Sequence, residues 1–276
     1  TGFGVFAAYR AVLAIGLFED EDFASPPLSR LNAATGGLIQ ELLESGEFTA
    51  RRGNTAVVHR PGKLAAQRLL LFGVGKRADF SPHTLREGVA AAARKVRALK
   101  RTEFAVVTRG LLDAPVGGQA LAEGIVLGLY VFDEYKTPDP KAVTVKRATL
   151  IGLSPKQAQG LRVGVQRGHT IAQAANDCRD LVNTPSNVLT PTELARRAQS
   201  LCRGTGVRVQ IWNRRRIERE RMGALLAVAQ GSAEEPRFLV LEHRPARARG
   251  KPVMLVGKAV TFDTGGVSLK QAANME

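Results

Sequence analysis

Close to the carboxyl end of this 276-residue chain, two lysines bracket one aspartate. Lys258 follows the apolar run Val253-Met254-Leu255-Val256, Asp263 comes five positions later, and Lys270 closes the segment. The run reads as a buried strand, and in open α/β sheets ligand sites lie beyond the carboxyl ends of strands. Between Asp263 and Lys270, Gly265-Gly266 allows backbone to approach a ligand closely. These residue types therefore suit a polar ligand site at the mouth of a strand. From spacing alone, a surface turn with solvated charges is the plainer reading.

Other chemistries find less support. His59, His83, His169 and His243 are far apart and none forms the helical H-x-x-x-H pattern of a zinc site, so packing or solvation explains them. Gly73-Val74-Gly75-Lys76 lacks the leading glycine and the Ser/Thr of a phosphate-binding loop and reads as a strand-end turn. Cys178 and Cys202 both fall in helical patterns, which predicts buried thiols rather than a disulfide and favours a reducing compartment. With 40 Lys and Arg against 25 Asp and Glu, the formal charge of +15 raises nucleic-acid binding as a possibility. The densest cluster, Arg214-Arg215-Arg216 with Arg219 and Arg221, alternates with Glu218 and Glu220 and suits a solvated helix. No zinc-finger spacing or aromatic RNA-binding motif accompanies it.

The surrounding pattern is that of an α/β protein. Thr55 to His59, Arg68 to Val74, Phe104 to Val107 and Ala142 to Ile151 read as strands, with helices expected over Leu85 to Leu99, where Ser81-Pro82 supplies a start signal, and over Ala120 to Tyr130. Such alternation implies an α/β layer with substantial parallel pairing, here a compact amino-terminal domain over residues 1–153. A long helix follows from about Ser154 to Leu181, then the turn cluster Asn183-Thr184-Pro185-Ser186-Asn187. Thr190-Pro191-Thr192-Glu193 predicts a capped helix start with a capping box, and Gly204-Thr205-Gly206 its stop. Val207 to Trp212 reads as a strand and Arg215 to Val228 as mostly helix, while Phe238 to Glu242 and Val253 to Val256 read as strands buried on both faces. Phe6 to Phe18 is apolar but interrupted by Arg10 and followed by Glu19-Asp20-Glu21-Asp22, so it lacks the shape of a signal peptide. No run approaches the roughly 18 consecutive apolar residues of a membrane helix, and the chain reads as soluble.

The segment from Gly257 to Lys270, Gly-Lys-Ala-Val-Thr-Phe-Asp-Thr-Gly-Gly-Val-Ser-Leu-Lys, resembles the first metal-binding segment of the leucyl (cytosol) aminopeptidase family. Arg179 to Pro191 resembles the opening of that family's catalytic domain, Met222 to Ser232 and Pro236 to Glu242 the stretches between, and Phe132-Asp133-Glu134-Tyr135-Lys136-Thr137 a signature of its amino-terminal domain. The resemblance implies an α/β fold in which the amino-terminal domain is joined by a long helix to the beginning of a mixed-sheet α/β metallopeptidase domain, residues 154–276 holding the linker helix and an incomplete catalytic part. It implies a cytoplasmic metalloaminopeptidase, a homohexamer, that releases leucine-type residues from peptides with a free amino terminus. Its cofactors would be two divalent ions per subunit, manganese or zinc, with magnesium a further choice.

The same resemblance assigns roles. Lys258 corresponds to a metal ligand offering a neutral amine, which desolvation and adjacent cations favour. Asp263 corresponds to a carboxylate shared by both metals, and Lys270 to the catalytic lysine that stays charged and stabilises the oxyanion. All three would contact substrate. The family's remaining carboxylates and an arginine lie beyond the point matching Glu276, so the chain reads as truncated and inactive by itself. One aspartate and one lysine cannot offset the mutual repulsion of two divalent cations. A DNA-binding or non-catalytic assembly protein of the same fold is the alternative.

Overall fold

The computed structural model describes residues 11–24, 26–110, 112–151, 154–246, 249–265, 267–271 and 273; the first ten residues, Phe6 and Arg10 among them, and Gly266 of the glycine pair lie outside them. Two compact units divide after Cys178. In the first, strands β1 (Val12–Leu17), β2 (Thr55–His59), β3 (Arg68–Gly73), β4 (Glu103–Val107) and β5 (Arg147–Ile151) form one sheet in the order β2-β3-β1-β4-β5. β1 pairs parallel with β3 and β4, β4 pairs parallel with β5, and β2 is an antiparallel edge.

All six residues of β1 are buried. This strand is central, and it lies in the apolar stretch that sequence reading weighed only as a leader; a strand covered on both faces lacks the alternation that announces a half-exposed one. Leu13, Ile15 and Leu17 pack on one face against helices α1 (Leu28–Ala34) and α2 (Leu38–Glu44), two short helices the sequence pattern did not reveal. Val12, Ala14 and Phe18 pack on the other against α3 (Pro82–Ala98) and α4 (Ala114–Gly128). α3 starts at the predicted signal: Ser81 accepts from the Thr84 amide, Thr84 returns the bond, and Pro82 occupies the first turn. α4 starts at Ala114 rather than near Ala120, and β5 is the last part only of the predicted Ala142 to Ile151 strand.

Helix α5 (Pro155–Asn183) is the long helix the sequence announced, and the division between the units falls inside it. Within the first unit it lies against α4 at glycines on both sides. A Cβ on Gly164 would sit 2.0 Å from the Pro115 carbonyl oxygen, one on Gly168 2.5 Å from that of Gln119, and one on Gly118 2.5 Å from that of Leu161. Backbone meets backbone here, so the two helices pack closely because these side chains are missing. The contacts pair the early residues of α4 with the early residues of α5, so the helices run parallel and begin at the same end.

The second unit holds α6 (Pro191–Leu201), β6 (Val207–Trp212), α7 (Arg214–Arg219), α8 (Gly223–Ala229) and β7 (Phe238–His243). β6 and β7 form an antiparallel pair. The helix expected over Arg215 to Val228 is broken in two, and Arg221 at the break has φ 55°. The strand expected at Val253 to Val256 does not form: these residues run as irregular chain with 81–94% exposure. β7 is half-buried rather than covered on both faces. At Val253 to Val256 the apolar pattern is present but no neighbouring strand among the described residues pairs with it, and β7 is paired on one edge only, by β6. Cys178 is exposed, not buried, and both cysteines are free. No described helix is long and apolar enough to cross a membrane.

Candidate metal centre

Thr190 caps α6 by accepting from the Glu193 amide at 3.3 Å, with Pro191 in the first turn. The reciprocal half of the expected capping box is missing, because the Glu193 carboxylate is engaged elsewhere. It binds Arg196 at 2.6 and 2.7 Å and Arg197 at 2.8 Å. The Arg196 hydrogen bonds, followed by that of Arg197, hold Glu193 down to about 2. Arg197 also donates to Thr184 Oγ1 at 3.1 Å, and that hydroxyl donates to the Asp180 carbonyl at 2.6 Å. The Asn183 to Asn187 turn is thereby tied to the helix that follows it.

The loop after Lys258 folds back on itself. Gly265 and Leu269 form an antiparallel bridge, and the Lys270 amide donates to the Thr264 carbonyl at 2.9 Å. Gly265 has φ +95°, and a Cβ there would lie 2.4 Å from the Ser268 carbonyl oxygen, so the turn needs glycine on both counts. Closure of this turn brings Lys270 onto Asp263. The ammonium donates to Asp263 Oδ2 at 3.0 Å, and the Gly265 amide donates to Oδ1 at 2.8 Å. The Asp263 carboxyl is held below the usual aspartate value, first by the Gly265 amide, then by Lys270, with a smaller electrostatic contribution from Lys258. Both partners are about half exposed, at 52% and 51%.

The structure thus joins Asp263 and Lys270 directly. Lys258 is exposed beside them and forms no ion pair with Asp263 among the described residues. The donor types suit a hard or borderline divalent cation, an ionised carboxylate with an amine nearby. No group of three or more His, Cys, Asp or Glu capable of holding a metal is present among the described residues. All four histidines are exposed, and His83 lies 3.3 Å from Glu87. The arginine cluster is partly neutralised: Arg214 faces Glu218 at 3.8 Å, Arg216 faces Glu220 at 3.9 Å, and Arg216 also lies 4.2 Å from the Trp212 ring centroid. A partly enclosed cavity lies in the first unit, where sequence reading placed no site.

Residues 14–139 match the model of the cytosol aminopeptidase family, N-terminal domain, and residues 176–276 that of the cytosol aminopeptidase family, catalytic domain. A probable cytosol aminopeptidase of Alkaliphilus metalliredigens (strain QYMF) is 36% identical over 270 residues, covering 96% of this chain and 54% of the relative. One from Geobacter sp. (strain M21) is 37% identical over 265 residues, covering 96% and 53%. Among solved structures, a mutant of tomato leucine aminopeptidase is similar with a TM-score of 0.77 at 26% identity, covering 93% of this chain and 53% of that one. The bottromycin maturation enzyme BotP in complex with Mn gives 0.72 at 28% identity, covering 96% and 51%. The chain spans about half the length of the curated relatives it matches.

Proposed function

Since this chain belongs to the cytosol aminopeptidase family, we propose that the intact protein is a metal-dependent aminopeptidase that removes leucine-type residues from peptides with a free amino terminus. The observation that carries this reading is the Asp263–Lys270 pair closed by the Gly265 turn, in the segment matched to the catalytic domain. Asp263 is kept ionised and so is available as a ligand at neutral pH. Lys258 and Asp263 would hold two divalent ions, manganese, zinc or magnesium, which when bound supply an activated water and a polarised peptide carbonyl. That one of the similar structures is a complex with Mn favours manganese.

Lys270 has a different task. Its ammonium is paired with Asp263 at 3.0 Å, and that pair must open before it can face a substrate carbonyl and stabilise the developing oxyanion. All three side chains then contact substrate. With a single carboxylate in place, this chain holds part of the cage and is expected to bind two metals weakly by itself. The remaining ligands are assigned to the part of the relatives that it does not span. Residues 1–153 then form the amino-terminal domain, and 154–276 the linker helix and first part of the catalytic domain, in a cytoplasmic homohexamer. The test is hydrolysis of leucine anilide by a polypeptide of the relatives' length that carries this chain. Chelator should abolish hydrolysis and manganese restore it; chelator-insensitive turnover, or none with metal supplied, counts against the reading.

A further inference from the structure

Asp263 has two demands on it: it holds Lys270, and under the metal-dependent reading above it ligates divalent cations. Its two oxygens are not equivalent. Oδ1 accepts from the Gly265 amide at 2.8 Å. That donor cannot leave while the turn is closed, and the turn is closed twice, by the Gly265–Leu269 bridge and by the Lys270 amide donating to the Thr264 carbonyl at 2.9 Å. A Cβ on Gly265 would lie 3.0 Å from the Lys270 nitrogen, so main chain passes directly beneath the carboxylate on this side. Oδ2 accepts from the Lys270 ammonium at 3.0 Å. This second donor stands on a flexible four-carbon stem and its side chain is 51% exposed, so it can turn out into water at small cost.

An ammonium and a divalent cation compete for such a carboxylate in two ways. Both seek the lone pairs of the same oxygen, and at a few ångströms from each other they repel as like charges. With Oδ1 tied to main chain, Oδ2 is the oxygen that can change partner. An ion pair this exposed is weak. A doubly charged ion that gains Lys258 as well as Asp263 therefore displaces it. Lys258 makes no ion pair with Asp263 among the described residues, so it is not the group that has to leave.

We propose that Lys270 is a displaceable occupant of the metal site: its ammonium neutralises Asp263 until a divalent cation takes Oδ2, and that exchange frees Lys270 to face the substrate. This rests on the metal-dependent reading of the site and adds an order of events to it. The oxyanion donor is withheld by Asp263 and becomes available only once the cation is in place. Gly265 makes the exchange one-sided. Because Oδ1 stays on its amide, the carboxylate keeps its orientation when the lysine departs.

The test uses the polypeptide of the relatives' length that carries this chain, with free Mn²⁺ counted by electron paramagnetic resonance. Lys270→Gln should bind Mn²⁺ about three- to tenfold more tightly than the unsubstituted protein, because the competing ammonium is gone. Lys270→Arg, which keeps the charge and can keep the pair, should bind as the unsubstituted protein does. Lys251→Gln, at an exposed lysine upstream of the loop, should also leave the affinity unchanged, which separates loss of the pair from loss of one positive charge. Crystals of the unsubstituted protein should show Lys270 Nζ hydrogen-bonded to Asp263 Oδ2 after chelator treatment and more than roughly 4 Å away after loading with Mn²⁺. Metal bound at Asp263 with the lysine pair intact overturns the proposal. So does a Lys270→Gln protein that binds no more tightly than the unsubstituted one, or equal tightening in Lys251→Gln, and each of these leaves the aminopeptidase reading standing. Failure of the unsubstituted protein and every variant to bind Mn²⁺ overturns both.

Discussion

Asp263 carries its charge through two hydrogen bonds of different kinds, a fixed backbone amide and a mobile ammonium. Because the carboxyl is held below its usual value, the pairing is complete above that value and is lost as pH falls through the lowered one. Lys270→Gln should therefore move the Asp263 titration upward, toward but not fully to the ordinary aspartate value, since the Gly265 amide remains. A carbon-detected titration of the side-chain carboxyl reads this directly; an unchanged midpoint would show that Lys270 contributes nothing. At this scale the sequence was informative through residue type and order: Lys258, Asp263 and Lys270 stand out as an aspartate between two lysines with a glycine turn. Their pairing was not legible, because the choice of partner depends on a turn that closes only when Gly265 takes φ +95°. Nor was the Glu21–Arg109 contact, which joins residues 88 positions apart.

Between α4 and α5 the packing depends on missing side chains. Gly164→Ala should destabilise the first unit by about 1–3 kcal/mol, since its Cβ would press on the Pro115 carbonyl and the Gln119 amide, neither of which can rotate away. Thermal or urea unfolding measures it; a neutral or stabilising result would mean that the helices separate freely. Elements with their own start signals were readable in advance, such as α3 behind Ser81-Pro82 and α6 behind Thr190-Pro191. Elements that tertiary burial alone holds in place were not. β1 has no polar alternation to mark it, and α1 and α2 are seven residues each, too short for a periodic pattern to emerge. The opposite error occurred at Val253 to Val256, where an apolar run promises a strand that needs a partner to exist.

Across the molecule the two units differ in how much they bury. The sheet of the first is covered on both faces, whereas Leu189, Ala195 and Ile217 are the buried hydrophobic residues described in the second. A two-stranded antiparallel pair is marginal in water by itself. Amide hydrogen exchange should thus be much slower in β1 and β4 than in β6 and β7; equal protection would contradict this division. The family, with its α/β class, was legible because its motifs sit in order along the chain, from Phe132-Asp133-Glu134 to the Lys258 loop. The most direct test pairs metal content with turnover in a polypeptide of the relatives' length. Asp263→Ala should lose bound metal and activity together. Lys270→Ala should retain its metal yet lose about 10²–10³-fold in kcat, the scale of removing one oxyanion donor. Full metal and activity in Asp263→Ala, or wild-type kcat in Lys270→Ala, would contradict the account.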